Sequence, residues 1–238
     1  KFIKATNKII EGEKARSDKL LLNILPQETA DELKTHGKVK AKHFQSVTVL
    51  FTDFEGFTKY SEHLSPEALV ETIDYYFSEF DKIIKKHNLE KIKTIGDAYM
   101  CAGGLPFPSD DHAKRVINAA FEIAAFVDKI QKEVDKEHLN FNVRIGINTG
   151  PVVAGVVGST KFAYDIWGDT VNIAARMESN SGLGKINISE NTYQIIKDDF
   201  ECEYRGEIDA KNKGMMKMYF VSTKKHKEAI KILANAVS

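Results

Sequence analysis

At 238 residues the chain allows one sizeable domain with an appendage, and its 42% hydrophobic content is ample for a packed core. Its 34 basic and 34 acidic residues cancel, which excludes a bulk field that recruits nucleic acid or an anionic membrane, so a phosphorylated ligand requires local positive charge. Two cysteines, Cys101 and Cys202, give neither a disulfide framework nor a paired metal-ligand spacing, and no apolar run approaches the ~20 residues that span a bilayer.

Residues 1 to about 34 read as helix, with Ile3, Ile9, Ile10, Leu20, Leu21, Leu22, Ile24 and Leu25 spaced by threes, fours and sevens amid charges. Ile3, Ile10 and Ile24 keep a seven-residue step that Ser17 interrupts, so a packed amphipathic helix and a coiled coil both stand as readings. Leu25-Pro26 marks a break, because proline disfavours helix at the residue before it. From Gln45 the pattern alternates. Residues 47, 49, 51 and 53 share a strand face, so Asp53 ends a stripe of Val, Val and Phe, where a carboxylate is expensive unless paired.

Ser65-Pro66 supplies an N-cap and first-turn proline for a helix to about His87, with Leu69, Ile73, Phe77, Phe80 and Ile84 on one face. Gly96-Asp97 then reads as a two-residue hairpin turn between apolar strands. A second helix, about 110 to 137, starts at Asp110-Asp111 and buries Ala113, Ile117, Ala120, Ala124, Val127 and Ile130. Strands over 142–147 and 152–157 are expected to be joined by a turn at Asn148-Thr149-Gly150-Pro151. The order βαββαβ is that of a ferredoxin-like sheet in an α+β fold, extended by helices near 169–179 and 190–197 and strands near 201–206 and 216–222. Two carboxylates at strand ends, Asp53 and Asp97, suggest a site for Mg²⁺ or Mn²⁺, whose shells take hard oxygen ligands and substrate phosphates.

Four ordered segments carry a family resemblance. Phe51-Thr52-Asp53-Phe54-Glu55-Gly56-Phe57-Thr58, Lys93-Thr94-Ile95-Gly96-Asp97-Ala98-Tyr99-Met100, the run 148–158 and the run 164–177 resemble the class III nucleotidyl cyclases, the adenylate and guanylate cyclases. The resemblance covers about residues 44 to 222 and sets the expected organisation: 1–43 a linker or signalling helix region, 44–222 the catalytic domain and 223–238 a helical tail. It implies two divalent cations, Mg²⁺ or Mn²⁺, on Asp53 and Asp97, and attack of the ribose 3′-hydroxyl on the α-phosphate with loss of pyrophosphate. It also implies that Arg176 opposes charge on the α-phosphate, that Asn172, four residues earlier, orients the ribose, and that Lys211 grips the terminal phosphates. Asn212 stands where the family usually has Gly, which leaves the choice between Lys211 and Lys213 open.

Base choice is expected to rest on Lys93 and Asp165. Adenine offers a donor at its 6-amino group and an acceptor at N1, so a lysine donor and an aspartate acceptor complement it and point to ATP. In the resembling enzymes the metal aspartates come from one subunit and the base, ribose and phosphate residues from its partner. Because this chain carries both sets, the expectation is a homodimer with two composite sites, no nucleic-acid partner, and a sensor or membrane region elsewhere in a longer protein, since the chain begins at Lys1 rather than Met. The cysteine usage makes a cytoplasmic setting the expectation, as a free protein or as the cytoplasmic domain of a membrane-attached one. Set against the adenylate cyclase reading are a guanylate or dual-specificity cyclase and a non-catalytic dimerisation module of the same fold.

Overall fold

A computed structural model of the chain describes residues 2–57, 61, 62, 64–133, 141–158, 161–210 and 214–223. In chain order the elements are α1 (Phe2–Leu22), α2 (Gln27–His36), β1 (Lys42–Glu55), α3 (Pro66–Lys86), β2 (Glu90–Ile95), β3 (Ala98–Gly103), α4 (His112–Glu133), β4 (Asn142–Val157), β5 (Ala163–Trp167), α5 (Asp169–Ser179), β6 (Ile186–Ser189), α6 (Glu190–Ile196), β7 (Glu201–Ala210) and β8 (Gly214–Ser222). They fall into two units, one from Lys1–His43 with Val153–Ile166, the other from Phe44–Val152 with the residues from Trp167 onward.

In the first unit, Pro26 sits outside the helical region between α1 and α2, as its sequence position anticipates. α1 ends at Leu22, so Ile24 lies beyond it and the seven-residue step does not run along one helix. Ile9, Ile10 and Leu20 are instead exposed. α2 stops at Gly37, whose left-handed backbone lets its N–H donate to the Leu33 carbonyl at 2.8 Å. An ion pair of 2.8 Å between Lys34 and Asp18 links the two helices. β5 pairs with β4.

The second unit is built on the strand order β2-β3-β1-β4-β6-β8-β7. Its first four strands, with α3 and α4 between them, form the expected ferredoxin-like βαββαβ core, and β6, β8 and β7 extend it. Strand alternation assigns the two faces. Leu50 and Phe54 of β1, Tyr99 and Cys101 of β3, and Val143, Ile145 and Ile147 of β4 pack with α3, α4 and α6 in one core. Its densest part is aromatic: Phe54 meets Tyr76 edge-on at 5.0 Å, and Phe80 meets Tyr99 at 5.6 Å. The opposite face is covered by α5, whose Ile173 and Met177 pack on Met218.

Local chemistry explains the element ends. Ser65 accepts a hydrogen bond from the Ala68 N–H at 3.2 Å and Pro66 occupies the first turn of α3, a cap worth about 1 kcal/mol. Gly96 alone takes a positive φ in the turn, +61°, as a Gly-X hairpin requires, and Ile95 pairs with Ala98 across it.

Three expectations need correction. No turn divides 142–157: β4 is one strand of 16 residues, and Asn148 and Thr149, 1% and 3% exposed, are buried in it. Their turn-like chemistry is satisfied by tertiary partners described below. α4 begins at His112 rather than at the aspartates, and 134–137 lie outside the described residues. β7 and β8 are longer than expected, pairing from Glu201 with Ser222 to Ala210 with Gly214. The expected tail beyond residue 223 also lies outside the described residues.

Candidate functional site

The face opposite the aromatic core gathers the charged residues. β1 pairs with β3 up to Thr52 opposite Tyr99, so the next residue, Asp53, comes level with the hairpin that carries Asp97. The two carboxyl groups lie close together. Burial, then the charge of Asp53, and a hydrogen bond between the two carboxyls hold Asp97 above the usual carboxylate range. Two carboxyl groups set side by side, one of them held above its usual range by the other's charge, form the kind of hard-oxygen pair that a divalent cation relieves, so this donor set fits Mg²⁺ or Mn²⁺. Among the described residues no group of three or more His, Cys, Asp or Glu side chains is arranged to hold a metal, so the remaining ligands would come from a substrate and water.

Two charged residues that the sequence reading passed over complete this cluster. Arg144 of β4 donates from Nη2 to Asp53 Oδ2 at 2.6 Å and from Nε to Glu178 Oε1 at 2.9 Å. Burial and the charge of Asp53 push the Glu178 carboxyl up against the opposing pull of Arg144. A guanidinium spanning two carboxylates offsets only part of their charge, so with Asp97 beside them the cluster suits a cation.

β4 is also the bed on which α5 rests. Arg144, Gly146, Asn148 and Gly150 alternate onto one face. Arg144 grips Glu178, and Asn148 Nδ2 donates to the Thr170 carbonyl at 3.0 Å. The glycines allow the contact: a Cβ on Gly146 would stand 1.8 Å from the Glu178 nitrogen, and one on Gly150 would stand 2.6 Å from Thr170 Oγ1. Thr170 Oγ1 itself donates to the Pro151 carbonyl at 2.7 Å. Thr170, Ile173, Ala174 and Met177 are the buried side of α5, so Asn172 and Arg176 are carried on its other side. Asn172 is exposed, and Arg176 Nη1 donates to the Asp209 carbonyl at 2.8 Å, next to the β7–β8 connection. Lys211, in that connection, lies outside the described residues.

Lys93 reaches the charged face through a bulge. Lys91 pairs with Cys101 and Lys93 with Met100, leaving Ile92 as the extra residue. Lys91 therefore follows Cys101 and Tyr99 toward the core side, where it pairs with Asp81 at 2.8 Å, whereas Lys93 follows Met100 onto the face of Asp53. Simple alternation would put both lysines on one side. Asp165, in the first unit, sits half-buried in β5, and its Oδ1 accepts from the Ile166 N–H at 2.8 Å.

Comparison with known proteins is consistent along the chain. A family model for the adenylate and guanylate cyclase catalytic domain matches residues 39–223. An adenylate cyclase of Mycobacterium bovis is 39% identical over 218 residues, 91% of this chain and 48% of the relative. The soluble guanylate cyclase subunit beta-2 of Rattus norvegicus is 40% identical over 210 residues, 88% of this chain and 30% of the relative. Among solved structures, the catalytic core of a rhodopsin-guanylyl cyclase with converted specificity, in complex with ATPalphaS, superimposes with a TM-score of 0.72 at 40% identity, covering 78% of this chain and 99% of that one. The chain thus spans about half the length, or less, of the curated relatives it matches.

Proposed function

Because the chain belongs to the adenylate and guanylate cyclase catalytic domain family, we propose that it converts ATP to 3′,5′-cyclic AMP and pyrophosphate at sites shared between two copies. The observation that carries this reading is the abutting pair Asp53 and Asp97, held on the same sheet face as Arg144 and the bed of α5. Those two carboxylates would hold Mg²⁺ or Mn²⁺, which when bound lowers the barrier to attack by a hydroxyl and neutralises charge on phosphate oxygens.

The chain's own residues supply position and charge. Lys93 donates to the adenine N1 and Asp165 accepts from its 6-amino group, which fixes the base. Asn172 orients the ribose so that its 3′-oxygen faces the α-phosphorus. As the 3′-hydroxyl gives up its proton to solvent, a bond forms between its oxygen and the α-phosphorus, the bond from the α-phosphorus to the bridging oxygen of the β-phosphate breaks, and pyrophosphate departs with the electron pair. Arg176 opposes the charge that grows on the α-phosphate, and Lys211 holds the leaving phosphates. Positioning of this kind accounts for most of the rate in phosphoryl transfer.

Residues of both kinds occur in one chain, so a homodimer contains two equivalent sites, each with its aspartates from one copy and its α5 residues from the other. GTP is the second reading, favoured by the rat relative, which matches as closely as the mycobacterial one. A mixing experiment tests the shared site. Asp97→Ala and Arg176→Ala proteins are each expected to be inactive. Random pairing makes half of the dimers mixed, each with one intact site, so roughly a quarter of the wild-type turnover should return. A mixture as silent as its components would overturn the shared arrangement.

A further inference from the structure

A chain of buried hydrogen bonds runs from the start of α4 to the start of α5. His112, 5% exposed, meets Ser46 Oγ with Nε2 at 3.1 Å and Thr48 Oγ1 with Nδ1 at 2.8 Å. Thr48 Oγ1 lies 2.8 Å from Thr149 Oγ1, which lies 3.0 Å from Thr192 Oγ1. Thr192 Oγ1 is 3.4 Å from Ser189 Oγ, Ser189 donates to Asn148 Oδ1 at 2.6 Å, and Asn148 Nδ2 donates to the Thr170 carbonyl at 3.0 Å. Thr48, Thr149, Thr192, Ser189, Asn148 and Thr170 are all buried.

The path changes sides of the sheet. Thr149 alternates with Ile145 and Ile147 toward α4, whereas Asn148 alternates with Gly146 toward α5. Thr192 and Ser189 carry the connection around the end of β6.

One proton arrangement satisfies every link. Asn148 Oδ1 accepts only, so Ser189 spends its proton there and must accept from Thr192. Thr192 then accepts from Thr149, Thr149 from Thr48, and Thr48 from an Nδ1–H of a neutral His112, whose Nε2 accepts from Ser46. Burial, together with the nearby Arg115, holds the imidazole below its usual pKa and so in this neutral form.

Core filling does not require this chain. Valine matches threonine in shape, and at positions 48, 149 and 192 it would fill the same space with no hydroxyl to satisfy. What the hydroxyls add is direction. The apolar contacts of Ile173, Ala174 and Met177 hold α5 against the sheet without fixing its slide along β4; directional contacts do that, Arg144 to Glu178 near the C-terminal end and, at the first turn, Thr170 to the Pro151 carbonyl and Asn148 to the Thr170 carbonyl, the last being the one the buried chain orients.

We infer that the chain from His112 through Thr149 and Asn148 to Thr170 is a positioning network that sets the register of α5 and thereby places Asn172 and Arg176 against the substrate. This rests on the shared-site reading above. It assigns the network to one half of each composite site, the half contributed by α5.

Thr149→Val tests it, with Thr149→Ser as the conservative variant and Thr192→Val as a second break should the first fail to fold. Thr149→Val should lose about ten-fold in kcat with ATP and Mn²⁺ while KM stays within about two-fold, and Thr149→Ser should regain most of the loss. Mixing supplies a readout that general loosening would not move. Thr149→Val combined with Asp97→Ala builds one site with sound aspartates and a sound α5, so turnover should rise. Combined with Arg176→Ala, both α5 contributions are faulty and turnover should not rise. Equal recovery with both partners, or an unchanged kcat in Thr149→Val and Thr192→Val, would overturn the inference. If the reference mixture of Asp97→Ala with Arg176→Ala stays silent, the shared-site reading has failed instead, and the kcat loss with its rescue by serine decides the network alone.

Discussion

Arg144 holds two carboxylates from different elements, Asp53 of β1 and Glu178 of α5, and it is 91 and 34 positions distant from them in the chain. That separation is why the sequence did not reveal it: an Arg between Val143 and Ile145 reads as the outward residue of an alternating strand. Asp53 and Asp97 were legible because their signals are local, one ending an apolar stripe and one following a turn glycine. Lys93 stands out as a residue type, yet the bulge at Ile92 that turns it to the face of Asp53 depends on strand pairing and leaves no local mark. For base selection, Lys93→Glu with Asp165→Cys reverses the hydrogen-bonding pattern offered to the purine. Initial rates with each nucleotide should show ATP use falling at least about ten-fold relative to GTP, and an unchanged ratio would refute the base-reading assignment.

Glu90 adds a residue-scale effect outside the chemistry. Burial pushes its carboxyl up to about 7 from an ordinary 4.5. The folded chain therefore binds this proton more tightly than the unfolded one. Stability contributed by Glu90 is full below about pH 4.5, declines as pH rises through about 7, and is level above that. Glu90→Gln should remove the decline and raise stability near pH 8 by on the order of 2 kcal/mol, read from denaturant midpoints across pH. A variant whose pH profile parallels the parent would show that the carboxyl is not titrating in this way.

At the scale of elements, the helices and most strands followed from pattern and punctuation, as the Ser65 cap and the Gly96 turn illustrate. β4 did not. Asn148-Thr149-Gly150-Pro151 has the composition of a turn, but turn propensity is a local preference, and here α5 and α6 supply partners that satisfy the same polar groups within a continuous strand. Gly146 shows how tightly that docking is drawn. Gly146→Ala would force β4 and α5 apart at Glu178 and should lower stability by about 3 kcal/mol or more in denaturant unfolding. Gly12, in α1 with open space around its Cβ position, is the contrast: Gly12→Ala should be neutral or stabilising by up to about 1 kcal/mol. Equal effects at the two positions would contradict the close approach of α5 to β4.

On the scale of the whole molecule, the family match runs over residues 39–223 of the chain. No helix among the described residues is long and apolar enough to cross a membrane, and the matched relatives are at least about twice as long. The sheet places the paired aspartates and the bed of α5 on one face, and the proposed reaction draws on both. In the proposed homodimer, two copies meeting across that face would bring each set to the other. The most direct measurement is to incubate the purified chain with ATP or with GTP in the presence of Mn²⁺ and identify the products. The expected result is cyclic AMP and pyrophosphate from ATP, abolished by Asp97→Ala with the fold intact; a chain that releases no cyclic nucleotide, or that makes cyclic GMP in preference, would contradict the account.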